Sequence, residues 1–204
     1  RAFIAEKILF LGADLIQVIA FLILLAVLVL IFRNAFQRQS KISAIISMGS
    51  NQHAEKNLQG GLNQVSEHFR ILRVSSIYQT MDVRDKENAS TFLNQIVEIE
   101  TQRNYPELRK RLKNIEAAFG REQGNKDLVP LDLDILTYNR DVFVYNGRKV
   151  PDPGLMKYRY IAVPLAEMAS DFRHPANGKS IQQILDQIQD KSQVTKLKEV
   201  ENGT

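Results

Sequence analysis

Leu131-Asp132-Leu133-Asp134-Ile135-Leu136 constrains this chain more tightly than any other stretch. Carboxylates alternate with aliphatic side chains, which is the period of a β-strand and not of a helix. Successive side chains leave opposite faces of a sheet, so Leu131, Leu133 and Ile135 need a core while Asp132 and Asp134 stay wet. A fold that accepts this strand therefore needs a sheet covered by helices on the aliphatic side. The acidic side places two hard oxygen donors about 7 Å apart at the backbone. That spacing suits one or two Mg²⁺ ions held together with substrate phosphates. An edge strand with a wet face that happens to be acidic is the competing account of the same six residues.

The elements before this strand can be read in order. Ile42–Met48 is a short aliphatic strand running into the turn Gly49-Ser50-Asn51. Leu58, Leu62, Val65 and Phe69 recur at helical spacing, although Gly60 and Gly61 each weaken such a helix by about 1 kcal/mol. Ile71–Thr80 reads as a strand, and Met81–Thr91 as a polar loop long enough to be functional. Phe92–Thr101 is the next strand. Pro106 opens a helix striped by Leu108, Leu112, Ile115 and Phe119, and Gly120 stops it. Arg121–Pro130 is a second polar loop. Strand, helix, strand, strand, helix, strand is an α+β pattern, the ferredoxin-like β-α-β-β-α-β arrangement of an antiparallel sheet with both helices on one side.

Beyond this core, Asn146-Gly147 predicts a hairpin between Val142–Tyr145 and Arg148–Val150. Leu155–Met168 reads as a short helical or irregular segment. Ser180 caps a last helix carrying Ile181, Ile184, Leu185 and Ile188. Residues 191–204 form a polar tail expected to fray.

The N-terminus differs in character. Leu15–Phe32 carries no charge, and the apolar trend reaches back to Ile8 with Asp14 as its interruption. Residues 8–32 are therefore expected to form a single transmembrane helix within an anchor and basic linker, residues 1–40. A buried soluble helix would need a polar stripe, and a signal peptide a shorter apolar run with a small-residue cleavage site. Arg33, Arg38 and Lys41 follow the run, against Arg1 and Lys7 before it, which orients the domain at residues 41–190 toward the cytoplasm. Asp14 could meet a partner helix within the membrane.

Net charge is only +4 and cysteine is absent. No basic run interleaves with aromatics, so a nucleic-acid partner is not expected. Without cysteine there is neither a disulfide framework nor a thiolate metal site. His53 and His68 read as solvated surface residues.

Eight short motifs, taken together, point to a family. They are Ile45-Ile46-Ser47-Met48-Gly49-Ser50-Asn51, Val74-Ser75-Ser76-Ile77-Tyr78-Gln79-Thr80, Phe92-Leu93-Asn94, Ile115-Glu116 with Gly120-Arg121, the acidic strand, Val150-Pro151, Val163-Pro164-Leu165 and His174-Pro175. In this order and approximate spacing the chain resembles the 6-hydroxymethyl-7,8-dihydropterin pyrophosphokinases of folate biosynthesis, over about residues 41–190. The resemblance implies an enzyme that transfers pyrophosphate from ATP to the pterin hydroxymethyl group. It implies two Mg²⁺ ions on Asp132 and Asp134, with Arg121 as a further catalytic residue. Glu116, Arg121, Ile135, Lys157 and Arg159 fall to the nucleotide, and Thr80, Phe92, Asn94 and Tyr160 to the pterin. His174 falls in a shared structural turn. Taken alone, Phe92 and Tyr160 are equally ordinary core aromatics.

The chain departs from the family pattern on the nucleotide side. The loop before the acidic strand lacks a Trp and a second Arg, Asp152 replaces a His, and Tyr158 replaces an Arg. These departures leave an alternative: a weakened or inactive module of the same fold, tethered at a membrane as a binding or structural subunit.

Overall fold

The computed structural model describes residues 17–30, 41–81, 91–122 and 128–198, and the chain divides into two compact units, Arg1–Lys41 and Ile42–Thr204. In the first unit, residues 17–30 form helix α1 with exposed side chains, Phe21 at 65%. Among the described residues no helix is long and apolar enough to cross a membrane. The expected spanning helix at residues 8–32 is thus not supported, and its two ends lie outside the described residues.

In the second unit the expected order holds, with two corrections. Its elements are β1 (Ile42–Ser50), α2 (Ala54–His68), β2 (Arg70–Val74), β3 (Ile77–Met81), β4 (Thr91–Thr101), α3 (Tyr105–Ala118) and β5 (Asp132–Tyr138). There follow β6 (Phe143–Tyr145), β7 (Arg148–Val150), a 3₁₀ turn (Pro153–Met156), α4 (Arg159–Met168), α5 (Ile181–Gln187) and β8 (Val194–Lys198). The main sheet runs β5-β1-β4-β3-β8, with β2 also paired to β4, and every pairing is antiparallel. The fold is α+β.

The first correction is that Ile71–Thr80 is not one strand. It breaks at Ser75-Ser76, whose polar groups replace ladder bonds. The Ile96 amide donates to Ser75 Oγ at 2.9 Å, and the amide and hydroxyl of Ser76 donate to the Glu167 carboxylate at 2.9 and 2.7 Å. The second is that the tail does not simply fray. Residues Val194–Lys198 form β8 on the free edge of β3, and Lys196 pairs with Glu167 at 3.0 Å. An edge strand with unpaired amides and carbonyls is a template for such an addition. Residues 82–90 and 123–127, inside the two expected loops, lie outside the described residues.

Two cores sandwich the sheet. On one face Leu131, Leu133 and Ile135 join Ile46, Met48 and Val97 beneath α2 and α3. Here Leu58 and Val65 come from α2, and Leu108, Leu112 and Ile115 from α3. On the other face Ile45, Ile96 and Leu136 meet Ile161 and Leu165 of α4 and Ile184 of α5. Helices therefore cover both faces: α2 and α3 as expected, α4 and α5 opposite them.

Capping follows the sequence. Asn104 forms a capping box with Glu107 at α3, and Ser180 forms one with Gln183 at α5. Gly61 explains an otherwise unfavourable helical glycine. A Cβ there would lie 2.9 Å from both methyls of Leu131, so its absence lets α2 close on the segment leading into β5.

Candidate functional site

The site begins at the turn after β1. Gly49 stands opposite Asn94 on β4 and opposite Asp132 on β5, so the three residues cross the sheet in one row. Paired residues of antiparallel strands share a face, which puts Asn94 and Asp132 on the α4 side with Gly49 as the floor between them. A side chain at Gly49 would begin 3.4 Å from Asn94 Oδ1. The next two residues hold the approach to β5. Ser50 Oγ donates to the Pro130 carbonyl at 2.7 Å, the Asn51 amide donates to the Val129 carbonyl at 3.0 Å, and Asn51 Oδ1 accepts from the Val129 amide at 2.7 Å. The Gly-Ser-Asn turn thereby sets where the acidic strand starts.

A cleft of about 160 Å³ opens over this row. Phe92, Asn94, Thr80 and Tyr160 line it, together with Asp132 and Asp134. Asn94 is buried, and its Nδ2 donates to Thr80 Oγ1 at 2.7 Å. That bond orients the carboxamide, which offers both donor and acceptor chemistry to a heterocycle edge. Tyr160 stacks on Tyr158 with centroids 5.3 Å apart, and burial together with Tyr158 and the nearby carboxylates raises its phenol pKa, keeping the ring neutral.

Asp132 and Asp134 are 41% and 44% exposed, and each Oδ1 lies within 4 Å of Lys113 Nζ, at 3.9 and 3.8 Å. Lys113 also donates to Glu116 Oε1 at 2.6 Å, and the same oxygen accepts the Leu133 amide at 2.6 Å. The buried Glu116 therefore ties α3 to the backbone between the two aspartates. Among the described residues no group of three or more His, Asp or Glu side chains converges as a metal cage. Mg²⁺ does not require one, since it is commonly held by one or two carboxylates with phosphate and water oxygens completing the shell. The open, adjacent pair fits that mode.

Burial, reinforced by Asp134 and opposed by Lys113, raises the Asp132 pKa from 3.8 to about 6. Between those values the folded chain keeps a proton that the unfolded chain has released. Folding stability therefore declines as pH rises through this window. For metal-free protein, the gap in denaturation midpoint by which Asp132→Asn exceeds the parent is expected to widen from pH 4 to pH 6. A constant gap would contradict the shift.

A second, wider depression of about 910 Å³ shares Asp132 and Asp134 with the cleft. Arg109, Lys110, Lys113, Glu116, Arg121 and Arg148 are among its lining residues. Arg121 donates to the Leu128 carbonyl at 3.2 Å.

The structure thus gathers the expected pterin residues Thr80, Phe92, Asn94 and Tyr160 with both aspartates, and sets Glu116 and Arg121 in the adjoining trough. Ile135 turns the other way, into the core under α3. Lys157 is exposed after the 3₁₀ turn, and the Arg159 amide donates to the Asp190 carboxylate at 3.0 Å. Neither lines the cleft or the trough. Of the histidines, His53 and His68 are exposed and His174 is buried.

Two further residues stand at the site, Lys113, which the sequence did not single out, and Asp152, which it marked only as a departure from the family pattern. Lys113 meets the aspartates only because α3 lies along β5, and its one local signal is the i, i+3 spacing to Glu116. Asp152 enters the cleft while its Oδ1 accepts the Gly154 amide at 2.7 Å, an Asx-type turn signalled by the following Pro153-Gly154.

Known proteins resemble this chain in sequence and in fold. The family model for 7,8-dihydro-6-hydroxymethylpterin-pyrophosphokinase (HPPK) matches residues 45–170. The chain is 32% identical over 144 residues to the Bacillus subtilis 2-amino-4-hydroxy-6-hydroxymethyldihydropteridine pyrophosphokinase, covering 69% of this chain and 86% of that protein. It is 29% identical over 149 residues to the Synechocystis enzyme of the same name, covering 71% and 75%. The Schizosaccharomyces pombe folic acid synthesis protein fol1 is 30% identical over 149 residues, 71% of this chain but 20% of that protein. A crystal structure of Plasmodium falciparum HPPK-DHPS with pteroate shares the fold at a TM-score of 0.60 and 14% identity, over 73% of this chain and 43% of that one. The chain thus spans about a fifth of the fission-yeast protein and less than half of the Plasmodium one.

Proposed function

This chain belongs to the 7,8-dihydro-6-hydroxymethylpterin-pyrophosphokinase family, and we propose that it transfers pyrophosphate from ATP to 6-hydroxymethyl-7,8-dihydropterin, with Mg²⁺ held by Asp132 and Asp134. The observation that carries this reading is one cleft in which Phe92, Tyr160 and the buried Asn94 stand beside the exposed aspartate pair.

Aromatic faces suit a flat fused ring, and the Asn94 carboxamide, oriented by Thr80, suits its hydrogen-bonding edge. A pterin bound in this cleft would lie beside the aspartates, which line it too. The acceptor hydroxyl loses its proton to water as its oxygen bonds to the β-phosphorus. The bond from that phosphorus to the bridging oxygen breaks, and AMP leaves. When bound, Mg²⁺ supplies charge neutralisation across the phosphates. Asp132 and Asp134 would hold that charge at the junction of cleft and trough, and Glu116 fixes their strand through the Leu133 amide. Holding acceptor and phosphorus in line is most of what such a transfer needs from a protein.

The test is AMP release by purified chain given ATP, Mg²⁺ and the dihydropterin. Release no faster than from Asp132→Ala refutes the enzyme. Pterin binding with neither ATP binding nor AMP release would identify the non-catalytic module instead.

Location is a separate proposal. Membrane attachment with the enzyme domain on the cytoplasmic side rests on the charge-free run Leu15–Phe32 and the basic residues after it. Detergent-dependent extraction from membranes supports it, and release by salt alone ends it.

A further inference from the structure

Residues 190–198 line neither the cleft nor the trough, yet they hold two elements that form the cleft. One is the end of β3, which contributes Thr80 and Met81. The other is the start of α4, which contributes Tyr160 and Ile161.

The hold on α4 is toward both of its ends. Tyr158, at its N-cap, makes no side-chain bond to the helix. The first turn of a helix leaves amides without intrahelical partners, and its dipole favours a carboxylate there. Asp190 supplies one from outside the helix. Its Oδ2 accepts the Arg159 amide at 3.0 Å, and Ser192 fixes the carboxylate through its amide and its hydroxyl, both at 2.8 Å. Near the other end of α4, Lys196 pairs with Glu167 at 3.0 Å. Glu167 also accepts the amide and hydroxyl of Ser76, the residue before β3.

The hold on β3 runs along the strand. β8 pairs with it from Ile77 to Thr80, with Val194 opposite Thr80. Without β8, β3 would be an edge strand of five residues bonded only to β4. A strand flanked on both sides opens less readily than an edge, so Thr80 Oγ1 stays where Asn94 Nδ2 meets it. None of residues 190–197 belongs to either core. The segment therefore acts through the bonds it makes to α4 and β3, and it lies beyond the residues 45–170 that the family model matches.

We propose that residues 190–198 are a strap that sets the spacing of α4 and β3 across the cleft, with Asp190 and Lys196 as positioning residues for the heterocyclic acceptor. The proposal rests on the pterin reading of that cleft. Its physical basis is preorganisation, because walls fixed in advance need not be ordered by the ligand.

Calorimetric titration of the full chain with the dihydropterin and, separately, with ATP plus Mg²⁺ tests it. Asp190→Ala combined with Lys196→Ala is expected to weaken pterin binding about fivefold or more, because wall side chains must then be ordered on binding. ATP affinity should stay within about twofold, since none of the strap's partners lines the trough and separate sites act independently. Each single alanine variant should show the same split in smaller measure. Asp190→Asn should stay near the parent, because a carboxamide oxygen still accepts the Arg159 amide. Lys191→Ala, at an exposed position of the same segment, should change neither affinity. Circular dichroism establishes that each variant folds. Pterin affinity within about twofold of the parent in the folded alanine variants would overturn the strap alone, as expected of exposed bonds of little worth. An equal loss of both ligands would also overturn it, since that marks a general loosening of the fold. A parent chain that binds no dihydropterin would overturn the pyrophosphokinase reading and the strap's role with it.

Discussion

Asp134→Asn is expected to lower the rate of AMP formation on the order of a thousandfold while leaving pterin affinity within a factor of about three. The substitution keeps the size of the side chain and removes its charge. Asp134 projects from β5 to the α4 face, is 44% exposed, and lies 3.8 Å from Lys113 at Oδ1. Its environment therefore holds one fixed cation, with room for a second brought by the nucleotide. A neutral amide in its place leaves the developing charge on the leaving group uncompensated at the moment of transfer. In the proposed mode the pterin is held by Asn94, Phe92 and Tyr160, none of which the substitution changes. Single-turnover measurement separates the two effects, because it reports the chemical step without product release. A rate within tenfold of the parent, at saturating Mg²⁺ and both substrates, would remove Asp134 from the reaction. A pterin affinity that fell in parallel with the rate would mean that the aspartate shapes the cleft and does not anchor charge.

Leu133→Ala, on the opposite face of the same strand, is expected to cost about 2–5 kcal/mol of folding stability. Leu133 is 1% exposed and belongs to the core beneath α2 and α3. Removing its branched end loses the transfer free energy of three carbon atoms and leaves a space that its neighbours fill only in part. The Leu133 amide still donates to Glu116, because that bond uses the backbone. Below the unfolding transition, the variant should therefore retain most of its catalytic rate. Denaturant titration gives the stability, and the same samples give the rate. Val144→Ala is the control: Val144 is 65% exposed on the hairpin, and its truncation should change stability by no more than about 0.5 kcal/mol. A Leu133→Ala protein no less stable than this control would mean that β5 is not packed as described. The paired experiments make one point about β5. Leu133 holds the fold there, and Asp134, its neighbour on the other face, serves the proposed chemistry.

Much of this architecture was legible beforehand where the signal was local. The alternation in β5, the proline that opens α3, the Ser180 cap and the Asn146-Gly147 turn all act over a few residues, and each lies where the sequence placed it. The aspartates, Asn94, Thr80, Phe92 and Tyr160 were singled out by type and by resemblance, and they share one cleft. The break at Ser75-Ser76 was not legible, because it needs the Glu167 carboxylate, 91 positions away along the chain. Nor was β8, whose polar residues carry no strand signal until β3 offers them an open edge. Lys157 and Arg159, which the resemblance assigns to the nucleotide, are not among the residues lining the cleft or the trough.

The sequence by itself determined which residues are apolar, at what period, and where the chain must turn. Those properties follow from side-chain and backbone preferences within a turn of helix or a pair of residues. Only the tertiary structure decided that Lys113 meets two aspartates, that Gly49 floors the space between Asn94 and Asp132, and that cations from a helix and a hairpin border one trough. Each of those pairings depends on strand register and on the approach of a helix to a sheet edge. Register and approach are set by how the whole core fills its volume, and no local stretch of the chain carries that information.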